Sequence, residues 1–254
     1  AALSLNNLKF PVWATFIVAI IAAAIFGMIL GFAAARLSGP YLAGTTLALA
    51  VGLPAIANQF SIFGGEQGIS FNIGMPPAKL GADFLLYKWF FWIATFLALI
   101  SLFVTSNIVD SRFGRTWRAI RGNSLATELS GVNVGRSKVL AFSVSAGLAG
   151  LAGAVLAMTT SLVSPGSFAL SLSFALVTGA VLAGISSLPG VMLGAVILVA
   201  IPEIADVVAH RLGDSERVTT HLPGLIVSVL LILSVIFTPN GPGENLRKHR
   251  KKRA

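Results

Sequence analysis

Residues 12–35 read VWATFIVAIIAAAIFGMILGFAAA, twenty-four residues without one charge. A stretch of about 20 apolar residues, wound as a helix, matches a hydrocarbon core of roughly 30 Å. Pro11 precedes the run, where a helix tolerates the missing N–H in its first turn. The whole chain has the same character: of 254 residues, 56% are hydrophobic and 11% are charged. An average soluble domain carries about 25% charged residues, so this chain lacks the charge to coat a globule. It is a protein solvated by lipid, all-α, a polytopic bundle of transmembrane helices.

Working outward from Val12 to Ala35, six further apolar spans follow. They are Tyr41 to Gln59, interrupted by Pro54; Trp89 to Val109, anchored by Lys88, Trp89 and Trp92; and Val139 to Thr159. Leu170 to Ser187 and Gly190 to Asp206 are shorter, with only the Leu188-Pro189 turn expected between them, and Leu222 to Phe237 is the last. The short pair is expected to tilt, break or partly re-enter. Residues 1–254 are expected to form one transmembrane domain with two appendages, the segment 110–138 and the basic tail 239–254.

The basic residues set an orientation. Arg112, Arg115, Arg118, Arg121, Arg136 and Lys138 lie in one interruption, and Arg247, Lys248, Arg250, Lys251, Lys252 and Arg253 in the tail. Four spans separate these two groups, so both can face the cytoplasm together with Arg36. Thirteen basic residues then lie inside against five outside (Lys9, Lys79, Lys88, Arg211 and Arg217), as positive-inside topology requires. The net charge of +9 is therefore a topology signal and implies no nucleic-acid partner. Membrane lipids are the expected partner of the tail, with about 1 kcal/mol gained per basic residue near an anionic surface. The same parity puts the N-terminus outside, and with no signal peptide in view a further helix is expected before residue 1.

The segment 110–138 is expected to form two short helices. Phe113, Trp117 and Ile120 recur at i, i+4 and i+7, a narrow apolar face for the membrane surface, with arginines on the flanks. Asn123 or Ser124 can cap a second helix over Leu125 to Ser130, and Gly131 can stop it. The result is a rigid knob between two spans.

Chemistry has few footholds. With no cysteine, disulfides, thiolate metal sites and Cys nucleophiles are excluded. No His-Glu-x-x-His or Gly-x-Ser-x-Gly occurs, and Gly131-x-x-x-Gly135-Arg136-Ser137 falls one residue short of a phosphate loop and has Arg in place of its Lys. His210 and His221 lack ligand spacing. No enzyme activity, cofactor or metal is expected. Glu203 and Asp206 share one face near Pro202, and two readings stand: groups lining a polar path, or headgroup-level residues beside Arg211 or Arg217. Small residues at four-residue spacing (Gly27/Gly31, Gly44/Ala48/Gly52, Ser143/Gly147, Ala146/Gly150/Ala154, Gly190/Gly194) permit close helix packing. Gly52 and Pro54, the loop glycines Gly64 and Gly65, and Glu203 are the candidates for a substrate pathway.

The run Gly114-Arg115-Thr116-Trp117-Arg118-Ala119-Ile120-Arg121-Gly122-Asn123, followed by Ala126-Thr127-Glu128-Leu129-Ser130-Gly131-Val132-Asn133-Val134, resembles the permeases of branched-chain amino acid ABC importers. The similarity continues through Lys138 to Phe142, Ala149 to Ala154, Val163 to Phe168, Gly184 to Gly190 and Pro239 to Gly241, and upstream through Arg36 to Ala50 and Gly64 to Gly68. The external stretch Ile73 to Asp83 has no clear counterpart. The resemblance implies a multi-pass bacterial inner-membrane subunit with a cytoplasmic C-terminus and additional N-terminal helices. It also implies a second, similar permease, two cytoplasmic ATPases and a periplasmic or lipid-anchored binding protein. Under it, Arg118, Arg121, Asn123, Ser124, Ala126, Thr127, Glu128 and Gly131 belong to the coupling helix that docks on an ATPase. Related permeases handle urea, amides or sugars. A stand-alone channel or ion-coupled transporter would instead need ionisable groups well inside its spans.

Overall fold

The computed structural model describes residues 12–37, 40–60, 64–70, 85–164 and 188–212, with isolated positions at 173, 176–177, 179–180 and 229. Seven helices lie among them: α1 (Val12–Arg36), α2 (Pro40–Gln59), α3 (Leu86–Asp110), α4 (Arg112–Gly122), α5 (Ser124–Leu129), α6 (Val134–Thr160) and α7 (Leu188–Leu212). Two two-residue strands, β1 (Ile69–Ser70) and β2 (Leu162–Val163), complete the described elements. Within α1, α3 and α6 lie the three helices long and apolar enough to cross a membrane among the described residues. The chain divides into two compact units, Ala1–Phe168 and Ala169–Ala254.

In the first unit, α1 and α6 lie against each other over most of their lengths. Helix α1 places Gly27 where a Cβ would overlap Ala146, and Gly31 where it would lie 3.0 Å from the Val139 Cα. Helix α6 answers with Gly150, whose Cβ would collide with Ala23, and Gly147, which faces Ile20 and Ala24. The matched pairs run in opposite directions along the two helices, so the pair is antiparallel. Because lipid is as apolar as the side chains, close backbone approach through small residues supplies the association that hydrophobicity cannot. One polar contact fixes the register: Ser143 Oγ donates to the Ala24 carbonyl at 3.0 Å.

Helix α3 joins this pair near its own N-terminus. Phe90 and Ile93 are buried with Phe16, Leu151, Ala154 and Met158 in one apolar cluster. Its other face carries Phe91, Trp92, Phe96, Leu99 and Phe103, each more than half exposed, as expected of a surface that meets acyl chains. Helix α2 keeps Pro54 inside its span and, among the described residues, lies against the tight 3-10 turn Gly65–Gln67 that follows it.

Two expectations change. Leu188 and Pro189 form no turn: both belong to the start of α7, where proline's missing N–H costs no intrahelical bond. The helix that contains the sixth span runs for 25 residues, beyond Gly190 to Asp206, and its apolar part is Gly190–Ala200. Most of Leu170 to Ser187, all but one position of Leu222 to Phe237, the stretch 71–84 and the tail 239–254 lie outside the described residues.

Gly150→Leu in α6 is expected to destabilise the protein by roughly 1–3 kcal/mol through overpacking against Ala19 and Ala23. Gly153→Leu, at a position open to its surroundings, is expected to cost far less. Thermal unfolding of the two variants in detergent checks the difference, and equal losses would contradict the seam.

Candidate functional site: the capped knob between α3 and α6

The knob begins with a break in the helix. Ser111 adopts an extended backbone and ends α3; its Oγ accepts from the Phe113 N–H at 3.2 Å and donates to the Ile108 carbonyl at 2.6 Å. Gly114 then lies so close to the Val109 backbone that any Cβ would collide with it, so the sharp reversal requires glycine. Arg115 Nη1 reaches back to the Asp110 carbonyl at 3.1 Å, and a cation there complements the negative end of α3.

Helix α4 turns part of its apolar face toward α6. Phe113 remains 58% exposed, whereas Trp117 is half-buried and its Nε1 donates to the Ser137 carbonyl of α6 at 3.0 Å. The indole N–H thus satisfies its need for a partner by tying the knob to the start of α6.

Asn123 is the pivot. Its N–H donates to the Ala119 carbonyl and closes α4. Its extended backbone turns the chain, and its Oδ1 accepts from the Ala126 N–H at 3.0 Å to cap α5. Thr127, only 7% exposed, donates its Oγ1 proton to the Asn123 carbonyl at 2.7 Å. At the other end Gly131, with φ of 83°, donates to the Glu128 carbonyl, and Val132 N–H reaches the Thr127 carbonyl at 3.4 Å. A left-handed glycine with such bonds is a common helix stop. Two residues later Asn133 caps α6 by accepting from Arg136 N–H at 2.9 Å. Every turn in this segment is held by a named side chain or glycine.

Asn123, Ser124, Ala126, Thr127, Glu128 and Gly131 are therefore brought together on one six-residue helix and its two caps, with Arg118 and Arg121 exposed on the adjoining α4. An open cleft of about 430 Å³ separates α4 from α5, lined among others by Arg115, Thr116, Asn123, Thr127 and Ser130. Sequence reasoning missed Leu125 and Leu129. They are 70% and 83% exposed and lie at i and i+4, hence on one face of α5, while Thr127 turns inward. That spacing was available in the sequence.

The pathway candidates are distributed differently. Gly52 and Pro54 lie on α2, and a Cβ at Gly52 would meet nothing within 4 Å. Gly64 and Gly65 take positive φ values of 79° and 57° in the turn that packs on α2. Glu203 is exposed on α7 in the second unit, and Asp206 belongs to the same helix. His210 ends up in the last turn of α7, and His221 lies outside the described residues.

Lipid-length helices packed through small residues, with a capped helical knob between two of them, define a polytopic α-helical membrane protein. The chain belongs to the family described as branched-chain amino acid transport system / permease component, whose profile matches residues 1–235. It is similar to the high-affinity branched-chain amino acid transport system permease protein LivM of Escherichia coli K12, with 30% identity over 90% of this chain and 56% of that protein. It is also similar to the corresponding permease protein LivH of Salmonella typhimurium, with 33% identity over 75% of this chain and 54% of that protein. A third relative is the probable branched-chain amino acid transport permease protein LivM of Methanocaldococcus jannaschii, 25% identical over 89% of this chain and 67% of that protein. The chain thus spans about half the length of the first curated relatives it matches. No solved structure matches it.

Asn123→Ala is expected to cost α5 about 1 kcal/mol by removing its cap. Amide exchange at residues 124–129 should accelerate roughly fivefold while exchange in the middle of α6 stays unchanged. An unaltered rate at 124–129 would show that the cap does not hold the knob.

Proposed function

We propose that this chain is the permease subunit of an ATP-binding cassette importer for branched-chain amino acids in the bacterial inner membrane. In this reading it works with a second permease of the same family, two cytoplasmic ATPases and an external binding protein that delivers the solute. The observation that carries it is the knob: a short helix capped at both ends, presenting Leu125, Leu129 and Glu128 outward from between two membrane-length helices. An exposed apolar pair beside a charge, on a helix too short to be stable alone, suits a surface completed by a protein partner.

Three further facts support the reading. The relatives carry branched-chain amino acid transport in their names, and those names are of two kinds, LivM and LivH, in keeping with a pair of related permeases. The Gly131 to Ser137 stretch departs from a phosphate loop in spacing and in its missing Lys, in keeping with a reading in which separate subunits hydrolyse ATP. The antiparallel order of α1 and α6 agrees with a topology in which Arg36, at the end of α1, and the arginine-rich knob, at the start of α6, share the cytoplasmic side. Closure of the ATPases would then move the knob and change which side of the membrane the pathway opens to. Gly52, Pro54, Gly64, Gly65 and Glu203 remain the residues proposed for that pathway.

The test uses the full-length protein co-expressed with its partners and reconstituted in liposomes. Glu128→Lys is expected to lower ATP-driven leucine uptake at least tenfold and to abolish stimulation of ATP hydrolysis by the loaded binding protein, with the subunit still inserted. Unchanged stimulation in that variant would count against the knob as the ATPase contact.

A further inference from the structure

Resting on the importer reading above, we infer that α6 is the strut that carries movement of the knob to the loop closing α2 at the opposite end of the bundle, with Trp117 and Gly68 as the positioning residues at its two ends. Helix α6 has 27 residues and no proline, so it is about 40 Å long at a helical rise of about 1.5 Å per residue. Its first turns are bound to the knob by Trp117 Nε1 on the Ser137 carbonyl, 20 residues apart in sequence. The knob therefore cannot shift without pulling on α6 itself.

The far end is equally well fastened. Helix α6 stops at Ser161, which takes a left-handed φ of 55°, and the chain passes at once into β2. There Val163 pairs with Ile69 and Leu162 with Ser70 in an antiparallel ladder. The approach is so close that a Cβ on Gly68, whose φ is 73°, would collide with the Val163 carbonyl. Glycine alone suits that backbone and that contact. Strand β1 continues directly from the Gly65–Gln67 turn, and that turn packs on α2, the helix interrupted by Pro54. Proline leaves one carbonyl of the preceding turn without its helical partner and so makes a natural bending point. The path runs from knob to α6, through the two-strand clasp, to the end of α2. Helix α1 travels with α6 through the Ser143 to Ala24 bond and the glycine seam.

A clasp that stays shut during transport predicts a specific set of results, and the chain's lack of cysteine makes them readable. Ser70→Cys with Leu162→Cys places one thiol on each strand at paired positions. In the reconstituted full-length complex, oxidising this pair should leave leucine uptake within twofold of the reduced form. Gly68→Val should open the clasp, lower uptake at least tenfold and remove binding-protein stimulation of ATP hydrolysis. Basal hydrolysis and co-purification of the ATPases should stay unchanged. Oxidising the cysteine pair in the Gly68→Val background should restore at least half of the uptake, and reduction should remove it again. Trp117→Phe, which keeps the ring and loses the N–H, should lower the ratio of stimulated to basal hydrolysis several-fold.

A disulfide that blocks transport would overturn the strut, because the clasp would then have to open. So would normal uptake in Gly68→Val. Should Gly68→Val fail to fold, the oxidised cysteine pair decides the matter by itself. Absence of ATP-driven uptake in the unmodified complex would instead bring down the importer reading on which the strut rests.

Discussion

Helices α1 and α6 hold the first unit together because their backbones come close enough for glycine on one to fill the space beside alanine or valine on the other. In water such a seam would be a minor supplement to burial. In lipid it is the main source of association, since an apolar side chain gains little by leaving acyl chains for another helix. Gly27, Gly31, Gly147 and Gly150 provide the approach, and Ser143 Oγ on the Ala24 carbonyl sets its register. The third helix is then placed by Phe90 and Ile93 against the C-terminal half of α6.

The knob obeys a different physics. Its stability is local: Ser111, Asn123 and Asn133 each cap the helix that follows, and Gly114 and Gly131 supply conformations or clearances a side chain would forbid. A helix of six residues does not persist unaided, so its order comes from these caps and from Thr127 turned inward onto the Asn123 carbonyl. Trp117 joins the two regimes. It belongs to the polar, capped segment and binds the first turn of a membrane helix, so the rigid seam and the exposed knob form one body.

Much of this was visible in the residues alone. Uncharged runs of membrane length announced α1, α3 and α6, and Asn123 with Gly131 announced a bounded short helix. These signals are local, and their physics is read from neighbouring positions. What stayed hidden depends on distant residues. The pairing of Ile69 with Val163 joins positions far apart in the chain, and two-residue strands carry no alternation by which to be recognised. Trp117 fitted an apolar stripe, and nothing in its spacing showed that α6 would offer a carbonyl. Proline marks turns and helix starts alike, so Leu188-Pro189 reads as a turn in sequence and only the continuing helix distinguishes the two. The pathway candidates are scattered: Gly64 and Gly65 lie at the turn that follows α2, while Glu203 belongs to the other unit.

The central claim is that α6 carries the knob at one membrane face and the clasp at the other. Sidedness of single cysteines tests it most directly, since the chain offers no background thiol. With a membrane-impermeant maleimide on intact right-side-out vesicles, Ser70→Cys should react at once and Glu128→Cys only after the bilayer is opened. Labelling of Glu128→Cys in sealed vesicles, or of both positions from the same side, would contradict the account.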